Sequence, residues 1–178
     1  GTIRIWDAAT GTLRHELTGH TAPVYTAVFD PTASTMVTGD ASGTLRVWDL
    51  STGSLTRTLT GHRGAVFRAV FHPDGALLAA GDETGAVRLW DIHTGEIREE
   101  LLGHTGRVYA IAFHPGGELM VTGDTDGSVR LWENARPKLT LSGHGGAIYQ
   151  ATFSPDGSRL ATADSDGSVR MWDPGTGR

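Results

Sequence analysis

Residues 61–102 read GHRGAVFRAVFHPDGALLAAGDETGAVRLWDIHTGEIREELL, and four short β-forming runs can be marked along them. Ala65–Phe71 is apolar and aromatic, and His72-Pro73-Asp74-Gly75 turns the chain after it. Ala76–Ala80 is a second run, ended by the turn residues Gly81–Gly85. Val87–Trp90 is the third, Thr94-Gly95 sits in the next turn, and Glu96–Leu101 is a more polar fourth. Runs of β-branched, aliphatic and aromatic residues bounded by Gly, Pro and Asp predict strands. The apolar content falls from the first run to the last, which predicts buried inner strands and a half-wet outer one.

The same pattern recurs along the chain. Trp6, Trp48, Trp90, Trp132 and Trp172 are spaced 42, 42, 42 and 40 residues apart, each followed by Asp or Glu. Gly19-His20, Gly61-His62, Gly103-His104 and Gly143-His144 run in step with them. Gly-His followed by Trp-Asp at a period of about 40–45 residues is the mark of four-stranded propeller blades. On these residues the chain resembles the WD-repeat β-propeller family over essentially its whole length. The resemblance implies an all-β fold of four-stranded antiparallel blades, about four per chain, in a single domain over 1–178. It divides into a partial blade, 1–18, and repeats 19–60, 61–102, 103–142 and 143–178.

Counting strands leaves a remainder. The chain opens with a third-type strand, Thr2–Trp6, and a fourth-type strand, Leu13–Leu17, and it closes with three strands ending at Trp172. Gly1–Thr12 thus repeats as Gly167–Arg178, one third-type strand more than four blades need. Most of the family closes with more blades, and an open arc leaves bare strand edges. Two chains are therefore expected to close an eight-bladed ring as a homodimer, the opening strands of one completing the last blade of the other. The rival expectation is an engineered or excised propeller fragment that self-assembles with no ligand of its own. Gly1, standing where an Asp-Gly turn would be halved, favours that origin.

Composition narrows the function. There is no cysteine, so disulfide, thiolate-metal and Cys-nucleophile chemistry are excluded, and a cytoplasmic location is the default. No stretch reaches the roughly 18 apolar residues of a membrane span. The net charge is −5, and the 15 basic residues are spread along the chain, which argues against a nucleic-acid footprint. No pair of the eight histidines has metal-ligand spacing, and no cofactor motif is present.

Within the resemblance, a buried hydrogen-bond chain links the Gly-His histidine, a Ser or Thr ten residues before the Trp, an Asp six before it, and the indole. Two units carry all four members: His104, Thr122, Asp126 and Trp132, and His144, Thr162, Asp166 and Trp172. His20, Thr38 and Trp48 have Ser42 at the Asp position, and His62 and Trp90 are joined by Ala80 and Thr84, so those two networks are expected to be incomplete. A catalytic triad would occur once, whereas this group recurs, so a blade-locking role is expected and an enzyme is not. The Arg two residues before each Trp is expected to pair with the Asp eight before it: Asp40, Asp82, Asp124 or Asp164.

The functional signal lies three and five residues after the Gly-His histidine, positions the resemblance directs onto the top face of the ring. Tyr25, Phe67, Tyr109 and Tyr149 make the five-position aromatic in every unit, and Pro23, Ala65, Arg107 and Ala147 fill the three-position. The matching turns add Ala41, Glu83, Thr125 and Ser165, which vary between units as a specificity layer should. Aromatics and Arg dominate interface energetics. The expected function is a noncatalytic scaffold binding a protein or peptide segment, with a carbohydrate-binding, lectin-like propeller as the alternative.

Overall fold

The computed structural model describes all residues, 1–178, as an all-β chain of antiparallel sheets without helices. It opens with a hairpin of β1 (Ile3–Trp6) and β2 (Leu13–Leu17). Three four-stranded blades follow: β3 (Val24–Phe29), β4 (Thr35–Asp40), β5 (Leu45–Asp49) and β6 (Ser54–Leu59); β7 (Val66–Phe71), β8 (Leu77–Asp82), β9 (Val87–Asp91) and β10 (Ile97–Leu101); β11 (Val108–Phe113), β12 (Leu119–Asp124), β13 (Val129–Glu133) and β14 (Arg136–Leu141). A three-stranded sheet ends the chain, with β15 (Ile148–Phe153), β16 (Leu160–Asp164) and β17 (Val169–Trp172). In each sheet neighbours in sequence are neighbours in space, and β3, β7, β11 and β15 form the innermost row, each packed on the next. The terminal hairpin and the last sheet are not hydrogen-bonded to one another, so the blades form an open arc.

Burial follows strand order. The second and third strands of each full blade are almost wholly buried, while the fourth is mostly exposed up to its buried last leucine, Leu59, Leu101 or Leu141, with Lys138 and Leu139 of β14 half-buried. Apolar side chains of adjacent blades interlock as continuous cores, one running from Val37 and Val47 across to Val66, Leu78 and Trp90. The terminal hairpin seats Leu17, Ile3 and Ile5 against Met36 and Trp48.

Gly81 and Asp82, expected in a turn, are the last residues of β8. Gly81 is a strand residue because of what approaches it: a Cβ there would stand 2.6 Å from Val108 Cγ1 of the next blade. Gly39 and Gly123 meet Val66 and Ile148 in the same way, at 3.1 and 2.5 Å. Ala163 occupies this place in the last sheet, which no further blade covers.

The two residues missing from the last Trp-to-Trp interval are lost at the β13–β14 turn. Asn134 and Ala135 form a two-residue hairpin with φ of 49° and 63°, where β5–β6 and β9–β10 use longer turns closed by Gly53 and Gly95.

Candidate functional site

A buried chain of hydrogen bonds locks the first blade and the last sheet in full and the others in part, and the structure corrects its membership. In the first blade Trp48 Nε1 donates to Thr38 Oγ1 at 2.8 Å, Thr38 Oγ1 lies 2.7 Å from His20 Nε2, and His20 Nδ1 lies 2.6 Å from Asp40 Oδ2. The arrangement assigns one tautomer: His Nδ1–H donates to the carboxylate, and Nε2 accepts the Thr proton. The last sheet repeats it with Trp172, Thr162, His144 and Asp164 at 2.8, 2.6 and 2.7 Å. In the third blade Trp132 and His104 both bond Thr122, and His104 Nδ1 stands 2.9 Å from Asp124 Oδ2, off the hydrogen-bond direction.

The acidic member is therefore Asp40, Asp82, Asp124 or Asp164, eight residues before the Trp, and neither Asp126 nor Asp166 belongs to the lock. Those two are exposed, and Asp126 accepts from the Thr105 hydroxyl at 2.6 Å. The physical reason is that each buried Asp uses both oxygens. Asp164 Oδ1 takes the backbone amides of Asp166 and Ser168, folding the turn, while Oδ2 takes the histidine. A residue two positions further on sits within that turn, exposed and away from the buried histidine. The first blade, with Ser42, is consequently complete. The second is the defective one, because Ala80 supplies no hydroxyl and both His62 Nε2 and Trp90 Nε1 are buried without a partner.

These surroundings set the charges. At Asp164 the bond from His144 outweighs desolvation and holds the carboxyl far below the usual carboxylate range. At Asp82 burial pushes the other way but is overcome by His62 and Thr84, again to well below that range. Burial depresses His62, against the pull of Asp82.

The expected Arg–Asp pairing forms once. Arg88 Nη1 donates to Asp82 at 3.0 Å, and its other end meets Glu100. Arg130 and Arg170 instead donate to the carbonyls of Gly103 and Gly143 at 2.7 and 2.6 Å, and Arg46 Nη1 lies 3.2 Å from His20 Nδ1. Gly103 has a φ of 132°, and a Cβ there would sit 3.0 Å from the Arg130 guanidinium. Glycine is needed at that joint for both reasons.

The five-position aromatics occupy a special place on the innermost strands. In each, the register skips one residue between the first and third positions: Val24 pairs Asp40 and Thr26 pairs Gly39, Val66 pairs Asp82 and Arg68 pairs Gly81. β11 and β15 do the same. Tyr25, Phe67, Tyr109 and Tyr149 are thus the extra residues of four equivalent β-bulges, a device that re-aims a side chain out of the ladder. Their rings follow one another at centroid distances of 5.2, 4.8 and 5.5 Å. Tyr25 and Tyr149 are 51% and 56% exposed, and Phe67 and Tyr109 between them are half-buried.

The variable residues flank this ladder. The amides of Ala41, Glu83, Thr125 and Ser165 donate to the carbonyls of Pro23, Ala65, Arg107 and Ala147, so the turn of each blade is tied to the start of its inner strand. Glu83 reaches across to Arg107 of the next blade at 2.8 Å, and the Arg107 guanidinium lies 5.8 Å from the Phe67 ring centroid. The Tyr109 hydroxyl and Glu83 raise the Arg107 pKa above its ordinary value. Ala65 departs from the expectation: it is buried and offers only its backbone.

A contact absent from the sequence reading lies at the other end of the inner strands. His72 stands edge-on to Phe113 of the next blade at 5.0 Å and reaches the Gly117 carbonyl at 3.2 Å, and His114 repeats the ring contact with Phe153 at 5.3 Å. No three His, Asp or Glu side chains converge as a metal site. No helix is long and apolar enough to cross a membrane.

Antiparallel units of up to four strands repeated in an arc, with a Trp–Thr–His–Asp chain complete in the first blade and the last sheet, define blades of the propeller class. The chain belongs to the WD domain, G-beta repeat family, whose model matches it four times, at residues 11–49, 53–91, 95–133 and 135–173. Repeats of this family generally serve as noncatalytic scaffolds for protein interaction. No curated protein matches the chain at a significant level.

Proposed function

We propose that this chain is a noncatalytic scaffold that captures a protein segment across the top face, the end of the arc where the inner strands begin. The observation that carries the reading is the ladder of bulged aromatics, Tyr25, Phe67, Tyr109 and Tyr149. Rings held out of their sheets are expensive to leave half-wet, and aromatic surface of this kind is what hot spots are made of. Pro23, Arg107 and Ala147, with Ala41, Glu83, Thr125 and Ser165, form the border that chooses the partner. Ala65 contributes main chain alone. The protein acts in the cytoplasm without a cofactor or metal, and binds neither nucleic acid nor membrane.

The test is selection from a displayed random-peptide library, followed by affinity measurement on the Tyr109→Ala/Tyr149→Ala variant. Selected peptides are expected to lose at least about tenfold in affinity, roughly 1.4 kcal/mol, with an unchanged melting temperature. Equal affinity for the variant contradicts the reading. A chain that selects no peptide but binds a glycan array supports the lectin-like alternative instead.

We further propose that two copies close one eight-bladed ring. The leading face of the arc supports this: it exposes Ala27, whose equivalents Ala69 and Ile111 are buried, and Phe29, whose equivalents Phe71 and Phe113 are half-buried.

A further inference from the structure

The joint between the second and third blades departs from the joint before it at the end of the inner strands away from the aromatic ladder. A cavity of about 550 Å³ opens there, lined by Leu77, Leu89, Phe113, Met120 and Trp132, with Ala135 at one side. The equivalent groove between the first and second blades, of about 440 Å³, is walled by Asp30, Ser34, Thr35 and Thr56. Single positions of the repeat change the lining from polar to apolar: Leu77 stands where the first blade has Thr35, and Ala76 where it has Ser34.

Two further differences leave this cavity open. The residue two after each blade's Trp donates its amide to the neighbouring turn, Leu50 to the Ser34 carbonyl, Ile92 to that of Ala76 and Asn134 to that of Glu118, so the three places are equivalent. Ile92 is 8% exposed and packs into the first joint with Val47 and Phe71. Leu50 packs in the same manner against Met36 and Trp48. Asn134 is exposed instead, at a φ of 49° in the shortened β13–β14 turn, and the second joint lacks its apolar plug. At the mouth of the first groove, Arg57 reaches across to the Thr94 carbonyl, with Nη1 3.5 Å from the oxygen. The next blade has Glu99 in the place of Arg57.

We propose that this groove is a small-molecule site for an organic cation, an apolar body carrying an ammonium group. Its volume lies in the range of small-molecule sites, which are mostly apolar with a few placed polar groups. The placed groups here are carboxylates. Glu99 and Glu118, one from each blade, line the same cavity, are exposed and enter no ion pair, while the arginine of the rim, Arg98, is held by Asp91 at 2.6 Å. The hydrocarbon of the ligand takes the place of the missing plug over Leu89, Met120 and Trp132. Its ammonium stands between the two glutamates, at the mouth that Arg57 crosses in the first groove. An anion there would meet like charge from both blades. The site is built wholly from residues between His72 and Ala135, so it depends on neither the aromatic ladder nor the two-chain ring.

The experiment reads the methionines, Met36, Met120 and Met171, of which Met120 alone lines the cavity. With the methionine methyl groups carbon-13 labelled, the protein is titrated with phenylpropylammonium, the neutral phenylpropanol and the anionic phenylbutyrate. The ammonium compound is expected to shift the Met120 resonance with a Kd roughly fivefold or more below that of the alcohol, and the carboxylate to bind most weakly. Glu99→Gln with Glu118→Gln changes exposed residues only, and is expected to bring the ammonium and alcohol affinities together at an unchanged melting temperature. Grafting Asp91–Gly95 in place of Glu133–Ala135, together with Glu99→Arg, rebuilds the plug and the crossing arginine, and is expected to abolish the Met120 shift. Equal affinity of the unmodified protein for the ammonium compound and the alcohol overturns the assignment of a cation. A Met120 signal that stays in place at millimolar probe, or a shift at Met36 or Met171 in its stead, overturns the site. An acetylated Phe-Arg amide that binds where phenylpropylammonium does not would give the groove to a protein segment, and would overturn the small-molecule reading.

Discussion

His62 and Trp90 stand 5.9 Å apart, ring centroid to ring centroid, with neither His62 Nε2 nor Trp90 Nε1 hydrogen-bonded. In the first and last blades the equivalent rings are 6.3 and 6.2 Å apart and a threonine hydroxyl joins them. The second blade thus keeps the geometry of the lock without its middle member. Replacing Ala80 by Thr restores an acceptor for the indole and a donor for the imidazole. It should stabilise the protein by about 1–2 kcal/mol, a melting shift of roughly 2–4 °C or more. An Ala80→Val variant, which fills the same space without a hydroxyl, should not reproduce the gain in thermal denaturation.

Gly123→Ala places a methyl 2.5 Å from Ile148 Cγ2 and 2.8 Å from its Cβ, so the strand itself must move. A loss of about 1–3 kcal/mol is expected in urea denaturation, the usual range for overpacking a joint. Ala163→Gly, at the equivalent place in the last sheet, removes a methyl that no neighbour in the chain presses on. If the two-chain ring forms, this change should tighten it.

Ala135 holds a positive φ of 63° in the shortened β13–β14 turn. Asn-Gly is the preferred pair for such a hairpin. Ala135→Gly should therefore stabilise by about 0.5–1 kcal/mol, against the general cost of introducing glycine. A decrease in urea midpoint would contradict the turn assignment.

Acid should destabilise the fold in two stages. The folded pKa of His62 lies below its ordinary 6.5, so between those values the unfolded chain binds the proton and stability falls as pH drops. Asp82 and Asp164 are held below the ordinary carboxylate value, so the stability they add is complete above about pH 4 and is lost as pH falls through their folded values. Urea midpoints at pH 7.5, 5.5 and 3 should decline in that order. Ala80→Thr gives His62 a new partner but leaves the carboxylate stage in place.

The strands were legible because their periodicity and turn residues are local properties. Val87–Trp90 was expected and β9 runs Val87–Asp91; Glu96–Leu101 was expected and β10 begins at Ile97. Residues whose role depends on distant partners are not legible in this way. Gly81-Asp82 looks like a turn, yet Gly81 is set by Val108 and Asp82 by His62. The Asp-Gly dipeptides point to Asp126 and Asp166 as the lock's acid, although the His-to-Asp interval is the same twenty residues in every unit, from His20 to Asp40 through His144 to Asp164. That constancy was the available signal. The bulges at Tyr25, Phe67, Tyr109 and Tyr149 could not be read at all, since a bulge belongs to a pairing between strands and not to either strand's composition.

The chain has three tyrosines, Tyr25, Tyr109 and Tyr149, and all three lie on the ladder. Incorporating 3-fluorotyrosine therefore yields three ¹⁹F resonances that report on the proposed site alone. Titration with a library-selected peptide should shift the Tyr109 and Tyr149 signals in proportion to saturation. A peptide that saturates the protein while all three resonances stay in place would mean that the segment binds elsewhere, and that the aromatic ladder is not the capture surface.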